Sequence, residues 1–329
     1  MLESHVLTAL IGYALTSMDI SAASFGWQHR FKKPIEIASP SSLAEFGMTA
    51  TVPPTSVRSA VIIMPLEVTD RAELNFLSEE FDPESGEFQY TEFAVIHDDV
   101  AYFGQLNIPK LEISFQQLSS ALNPIPDEEI FPAWPPADGK LTQAPETVPA
   151  NIYVKRPSLA LYSVFKEHNV LHLLSQGLME EAQIMEVLSR HPHPNIICYY
   201  GCQVRRGRVT GLVLDRHPAD LTNYLKNGMG TVDKEPFMEA LESAVHHLHS
   251  LGLAHNDLNP KNILVNEARM PVLIDLGSCH EVGRNLTTSR GTKGWIDEDM
   301  KDYTTSEKRH DIYALAKIRA WLDKPAFED

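Results

Sequence analysis

GLAHNDLNPKNILVN, residues 252–266, is the stretch whose reading decides the fold. Leu253 and Ala254 begin a short apolar strand, the polar loop that follows carries His255, Asp257 and Asn262, and Ile263 to Val265 form a second apolar run. This is the pattern of strand, loop and strand. Thirteen residues beyond Asn262 stands Asp275, inside Val-Leu-Ile-Asp-Leu-Gly, which predicts a buried strand ending at a glycine.

Phosphoryl transfer asks a protein for positioning more than for covalent chemistry. It needs one carboxylate to orient the attacking hydroxyl and hard oxygen ligands to hold Mg²⁺ on the phosphates. Asp257 fits the first role, and Asn262 and Asp275 fit the second. Two unrelated hairpin turns would also supply Asn, Asp and Gly, for backbone reasons alone. Against that stand nine specified positions: His255, Asp257, Leu258, Pro260, Asn262, Ile263, Leu264, Asp275 and Gly277. At ordinary residue usage a chance match is on the order of 10⁻¹⁰ per start site. The constellation is specific.

With these residues in place the chain resembles the protein-kinase superfamily, and more narrowly a compact, fungal-type group of kinase-like domains. The resembling strings are IYVKRP (152–157), MEEAQIMEVL (179–188), HPHPNIICYYGC (191–202), GLVLD (211–215), HSLGLAHNDLNPKNI (249–263), IDLGSC (274–279), GTKGWIDED (291–299) and HDIYALAKIRAWL (310–322). They cover 151–322, and the proline-rich FPAWP (131–135) extends the likeness back to about residue 90.

The resemblance implies roles, residue by residue. Lys155, at the end of a strand over 150–155, is the phosphate-binding lysine, with Lys166 as the alternative. Glu181, on a helix over 179–189, is its partner, with Glu180 as runner-up about 100° around the helix. Leu214 faces the adenine, and Asp215, Arg216 and His217 offer it backbone groups. Asp257 is the catalytic base, Asn262 and Asp275 hold the metal, and Thr292 bonds near Asp257 in a loop of the Ser/Thr class. Asp311, opening a helix over 310–322 that buries Ile312, Leu315 and Ile318, anchors the backbone of the catalytic loop. Its simpler role is to balance that helix's dipole.

Several positions depart from the family. No G-x-G-x-x-G precedes Lys155, so the loop that closes over the phosphates is missing. Asn256 replaces the arginine that pairs with a phosphorylated activation loop, which puts control through Thr287, Thr288 or Ser289 in doubt. Asn259 replaces a lysine, and Lys261 is the candidate to take over its contact with the transferring phosphate. Leu276 replaces a phenylalanine. The sequence stops soon after Leu322, so the last helices of an ordinary lobe are expected to be absent.

Outside these motifs the signals are weaker. A helix over 236–250 is expected to bury Phe237, Leu241, Val245 and Leu248 at helical spacing. Its His246, His247 and His249 read as plain helix surface, and Cys198 and Cys202 as core thiols. Asn285-Leu286-Thr287 is a formal glycosylation sequon. Val6 to Thr16 predicts an amphipathic helix, 60–68 a buried strand and 70–81 a short helix. An acidic loop is expected around Asp82-Pro83, and a hairpin over 93–103 broken at Asp98-Asp99. Seven prolines in the 26 residues 124–149 mark an extended strap that is neither helix nor central strand.

The 329 residues carry a net charge of −16. Residues 1–150 hold 21 acidic and 7 basic side chains, while 151–329 hold 23 and 21, which points to two units with different jobs. A net-acidic chain is a poor general binder of nucleic acid or anionic membrane. Three cysteines cannot form a disulfide framework for this length, and no apolar run reaches a membrane span. The expectation is an intracellular protein, cytoplasmic or nuclear.

The expected architecture is an α+β, two-lobed protein-kinase-like fold with a truncated helical C-lobe. The N-lobe would span 89–214 and the C-lobe 215–329, after an acidic N-terminal region, 1–88, of unknown role. The implied activity is an ATP- and Mg²⁺-dependent Ser/Thr protein kinase acting on a protein substrate. A pseudokinase that binds nucleotide or partners, and a small-molecule phosphotransferase on the same fold, are the alternatives.

Overall fold

The computed structural model describes residues 66–136, 139–286, 291–297 and 303–327. The expected helix at Val6 to Thr16, most of the strand at 60–68 and the sites Thr287, Thr288 and Ser289 lie outside them. The architecture is α+β.

The first sheet is an antiparallel meander of β1 (Phe76–Phe81), β2 (Phe88–His97), β3 (Val100–Leu106) and β4 (Asn123–Pro124). Asp98 and Asp99 both take positive φ, 47° and 64°, the geometry of a two-residue hairpin turn. The hairpin predicted over 93–103 is therefore present, with His97 opposite Val100. The middle of β2, Thr91 to Ile96, is buried on both faces. Phe93 packs with Val68, Ile113 and Leu118, the last from α1 (Phe115–Ala121). Ala94 and Ile96 pack with Ile130, Phe131 and Tyr162 on the other side. Gly104 sits opposite Phe93, and a Cβ there would lie 2.5 Å from the ring, so the strand crosses it only as glycine.

This sheet corrects two expectations. The short helix at 70–81 is a single 3-10 turn, Arg71–Glu73, boxed by Asp70, and then strand β1. Pairing along β2 supplies hydrogen bonds that a one-turn helix lacks, so tertiary context overrides local propensity. The boundary at residue 88 consequently cuts a hairpin, since β1 and β2 are hydrogen-bonded along their length.

The proline strap runs mostly extended, as expected, with one exception. α2 (Asp127–Ile130) makes a single turn between Pro126 at its N-cap and Pro132 beyond it, positions where a missing amide costs least. The strap then bridges Ala133 to Arg208 and Gln143 to Cys202, and Thr142 donates to Glu186 through its N–H (2.5 Å) and hydroxyl (3.0 Å).

The second sheet has the order β5 (Ile152–Lys155), β7 (Arg208–Asp215), β6 (Tyr199–Arg205). After the short α3 (Tyr162–Glu167), α4 (His172–Arg190) packs against this sheet through Leu178, Ala182, Met185 and Leu188. It is a longer helix than the expected 179–189. Asp99 ties the two sheets together by pairing with Arg156 and Arg205, while Arg206 reaches Asp127 at 2.7 Å.

Beyond the two-residue β8 (Ala219–Asp220) come α5 (Leu221–Lys226) and α6 (Lys234–Ser250). Phe237, Leu241, Val245 and Leu248 of α6 are fully buried, as its periodicity predicts. Each is worth about 1.5–3 kcal/mol relative to exposure. Short strands β9 (Leu253–Ala254), β10 (Ile263–Val265), β11 (Pro271–Leu273) and β12 (His280–Glu281) frame the loops between them. α7 (Lys308–Trp321) closes the described fold. One apolar core runs from Leu141 of the strap through α4, the second sheet and α6 to Ile318 of α7.

Three smaller expectations change. Ile312 is 48% exposed, because α7 turns Asp311, Ala314, Leu315 and Ile318 inward and Ile312 falls off that stripe. Cys198 is exposed, whereas Cys202 and Cys279 are buried. His249 is buried rather than on the helix surface. Among the described residues no helix is long and apolar enough to cross a membrane.

Candidate active site

The loop between β9 and β10 is held from below by one carboxylate. Asp311, fully buried at the first turn of α7, accepts the N–H of Asn256 at 2.8 Å on one oxygen. Its other oxygen accepts the N–H of His255 at 2.9 Å and meets His249 Nε2 at 2.8 Å. Three hydrogen bonds compensate this buried polar group. His255, itself buried, reaches the Ile274 carbonyl through Nε2 at 2.9 Å and so joins the loop to the segment carrying Asp275.

Asn256 takes φ of +63°, a conformation that Asn tolerates better than most residues. Its side chain is a buried hub. Nδ2 meets the Ala254 carbonyl at 2.8 Å, the Ser278 carbonyl at 3.0 Å and Ser306 Oγ at 3.0 Å. Oδ1 accepts from the Glu307 N–H and faces His310 Nδ1, both at 3.2 Å. The Tyr303 hydroxyl donates to its carbonyl at 2.9 Å.

That fixed backbone sets out Asp257. Thr292 donates to Asp257 Oδ1 at 2.7 Å, and Asn259 Nδ2 approaches the same oxygen at 3.2 Å. Asn262 Nδ2 donates to the Asp257 carbonyl at 2.8 Å and to Oδ2 at 3.1 Å. Burial pushes the Asp257 carboxyl up to about 6, against the opposing bond from Thr292. Such a carboxylate is a stronger proton acceptor than an exposed one.

Across the cleft, Lys155 Nζ lies 2.7 Å from Glu181 Oε1 and 2.7 Å from Asp275 Oδ1. Glu181 Oε1 also accepts the Leu276 N–H at 3.1 Å, locking α4 to the segment after β11. Burial works against the Lys155 charge, but Asp275 and Glu181 outweigh it and keep the ammonium charged. Burial likewise works to raise Asp275, and Lys155 outweighs it, holding that carboxyl below its usual range. Asp275 takes φ of 59°, and its side chain is 44% exposed, the open end of the cluster.

The structure thus brings together Lys155, Glu181 and Asp275 as one cluster, and Asp257, Asn262 and Thr292 as another. The alternatives lie apart from both clusters: Glu180 pairs with Arg284 at 3.3 Å, and Lys166 faces the Tyr162 hydroxyl at 3.1 Å. Leu214 is buried opposite Tyr153 on β5. Asp215 pairs with Ile152 through the backbone and accepts the Tyr200 hydroxyl at 2.6 Å, and His217 follows, half-buried. Lys261 is fixed through its N–H to Asn259 Oδ1 at 2.9 Å, and no hydrogen bond among the described residues carries its ammonium to Asp257.

Two contributors escaped the sequence reading. His249 looked like one of three surface histidines, yet it supports the carboxylate under the loop. Asn256 read as the loss of an arginine, yet it binds three segments at once. The one available signal was the positive φ that an Asn before Asp257 permits.

Residues 158–327, just over half of the chain, match the family model for the protein kinase domain. That stretch begins three residues beyond Lys155 and includes Asp257, Asn262, Asp275 and Thr292. The chain is 33% identical over 122 residues to the serine/threonine-protein kinase/endoribonuclease IRE1 of Hypocrea jecorina, covering 31% of this chain and 10% of that protein. It is 28% identical over 145 residues to the probable serine/threonine-protein kinase gdt2 of Dictyostelium discoideum, covering 41% and 9%. It is 28% identical over 112 residues to the MAP kinase kinase kinase SSK2 of Saccharomyces cerevisiae, covering 33% and 7%. The matched part of the chain thus spans a tenth or less of each of these relatives.

Proposed function

The chain belongs to the protein kinase domain family, and from that premise we propose that it transfers the γ-phosphoryl group of Mg·ATP to a Ser or Thr of a protein substrate. The observation that carries this reading is the bridging of Lys155 to both Glu181 and Asp275 at 2.7 Å, which joins the sheet, the helix beside it and the loop after β11. A charged lysine fixed there is set to meet the nucleotide phosphates.

The residues present fit the implied magnesium. Asp275 is ionised and its side chain is open at one end. Asn262 has committed Nδ2 to Asp257, which leaves Oδ1 as its ligand atom. Two hard oxygen donors, completed by phosphate and water, suit Mg²⁺. Bound there, the ion would offset the phosphate charge. Asp257 orients the acceptor hydroxyl and takes its proton, and Thr292 and Asn259 hold the carboxylate in place for that step. Leu214 and the backbone of Asp215 and His217 border the place for the base. Lys261 is the basic residue assigned to the transferring phosphate.

A second reading, a pseudokinase that binds without transferring, is favoured by the absence of a glycine-rich loop before Lys155. Two substitutions separate the readings. Asp257→Asn should abolish transfer and leave Mg·ATP affinity nearly intact, because its contact matters mainly in the transition state. Asp275→Asn should weaken the magnesium-dependent part of nucleotide binding as well. ATP binding with and without Mg²⁺ is measured alongside phosphate transfer to a generic protein substrate. A wild type that binds Mg·ATP yet transfers no more than Asp257→Asn is a pseudokinase, and binding unchanged in both variants would mean the site is elsewhere.

A further inference from the structure

Side chains alternate along a strand, so Tyr153 and Lys155 of β5 project from the same face. In the pairing with β7, Tyr153 lies directly opposite Leu214, and Lys155 opposite Leu212. Directly paired residues share a face, and Leu214 is the residue assigned to the base. The next pair along, Ile152 with Asp215, leads into the segment that would bond the base. Tyr153 is partly buried and packs against the same apolar core as Leu212 and Leu214. On the opposite face, a Cβ at Gly211 would lie 2.7 Å from Val154 Cγ1, which confirms the alternation. Burial raises the Tyr153 hydroxyl, with Lys155 acting against that and Asp275 and Glu181 adding to it.

We propose that the Tyr153 ring fills the end of the cleft between Leu214 and the Lys155 cluster, so that it sets nucleotide affinity by competing with the base for that space. This deepens the nucleotide-site reading above and rests on it. An aromatic ring and a purine are both flat apolar bodies seeking the same desolvated slot. Nucleotide binds only with the ring rotated away, so affinity falls by the fraction of molecules in which the slot is open. Tyr153 thereby sets nucleotide affinity, with side-chain size as the variable.

The test is direct binding of Mg·ATP by the full 329-residue chain, titrated to millimolar nucleotide, for wild type, Tyr153→Ala and Tyr153→Val. Valine keeps the β-branched character that suits a strand, so it guards against an alanine variant that fails to fold. Both variants are expected to bind at least tenfold more tightly, about 1.4 kcal/mol. Tyr153→Trp is expected to bind no more tightly than wild type. If wild type binds and neither smaller variant binds more tightly, the occlusion is refuted while the nucleotide site stands. If neither wild type nor any variant binds Mg·ATP, both fall together.

Discussion

Replacing Asn256 with alanine tests whether one buried amide holds the active-site loop to the segment around residue 306. The side chain is 1% exposed and serves five partners. The Ala254 and Ser278 carbonyls keep a second lone pair, and Ser306 Oγ still reaches the His280 carbonyl at 3.1 Å, so these lose least. The Glu307 N–H and the donor on His310 Nδ1 lose the oxygen they face, at about 1–3 kcal/mol for each buried group left unmade. Alanine at φ of +63° adds about 1–2 kcal/mol of backbone strain. Since such terms do not add fully, the expected loss is about 3 kcal/mol or more. Asn256→Gly loses the same bonds without the strain, so it should be about 1 kcal/mol more stable than Asn256→Ala. Urea unfolding of the three proteins gives the difference as a shift in midpoint, and amide exchange at Glu307 reports the local release. A loss below 1 kcal/mol for alanine, or a glycine variant less stable than the alanine variant, would refute the reasoning.

Lys155→Ala should abolish the thermal stabilisation given by Mg·ATP, whereas Lys166→Ala, whose ammonium faces Tyr162 and Glu129, should leave it intact. The reverse pattern would show that β5 does not present the phosphate-binding lysine. Glu92 is 1% exposed, and burial pushes its carboxyl up to about 7, opposed by the 2.8 Å bond from Ser163 and reinforced by Glu80. Its folded state therefore binds a proton that the unfolded chain releases earlier. This contribution is present at low pH and lost as pH rises from the usual carboxylate range through about 7. Glu92→Gln should thus gain on wild type by about 1–3 kcal/mol between pH 5 and pH 8. A stability difference that stays constant across that range would show that the carboxyl is not held neutral.

The part of the site that was legible in sequence is the part whose geometry is local. Asp257, Asn262 and Asp275 lie within 19 residues on two short strands and a loop, so their spacing largely dictates their juxtaposition. The apolar stripe of α6 was legible too, because periodicity is written along the chain, and the strand of Lys155 was legible through its resemblance to the kinase motif. The resemblance already preferred Glu181 to Glu180, and the rotation of α4 against the sheet turns Glu181 to Lys155, since the two glutamates differ by about 100° around the helix. Only the tertiary structure could show that His249 and Asp311, 62 residues apart, share a hydrogen bond under the loop. The partners of Asn256 at Ser278, Ser306, Glu307 and His310 were equally unreadable, because nothing along the chain records which distant segments will meet. The same limit explains the misread stretch at 70–81. Its residues tolerate helix or strand, and the neighbouring strand at Phe88–His97 made it Phe76–Phe81. Local spacing decided which chemistry the chain carries, and long-range packing decided which side chains hold it in place.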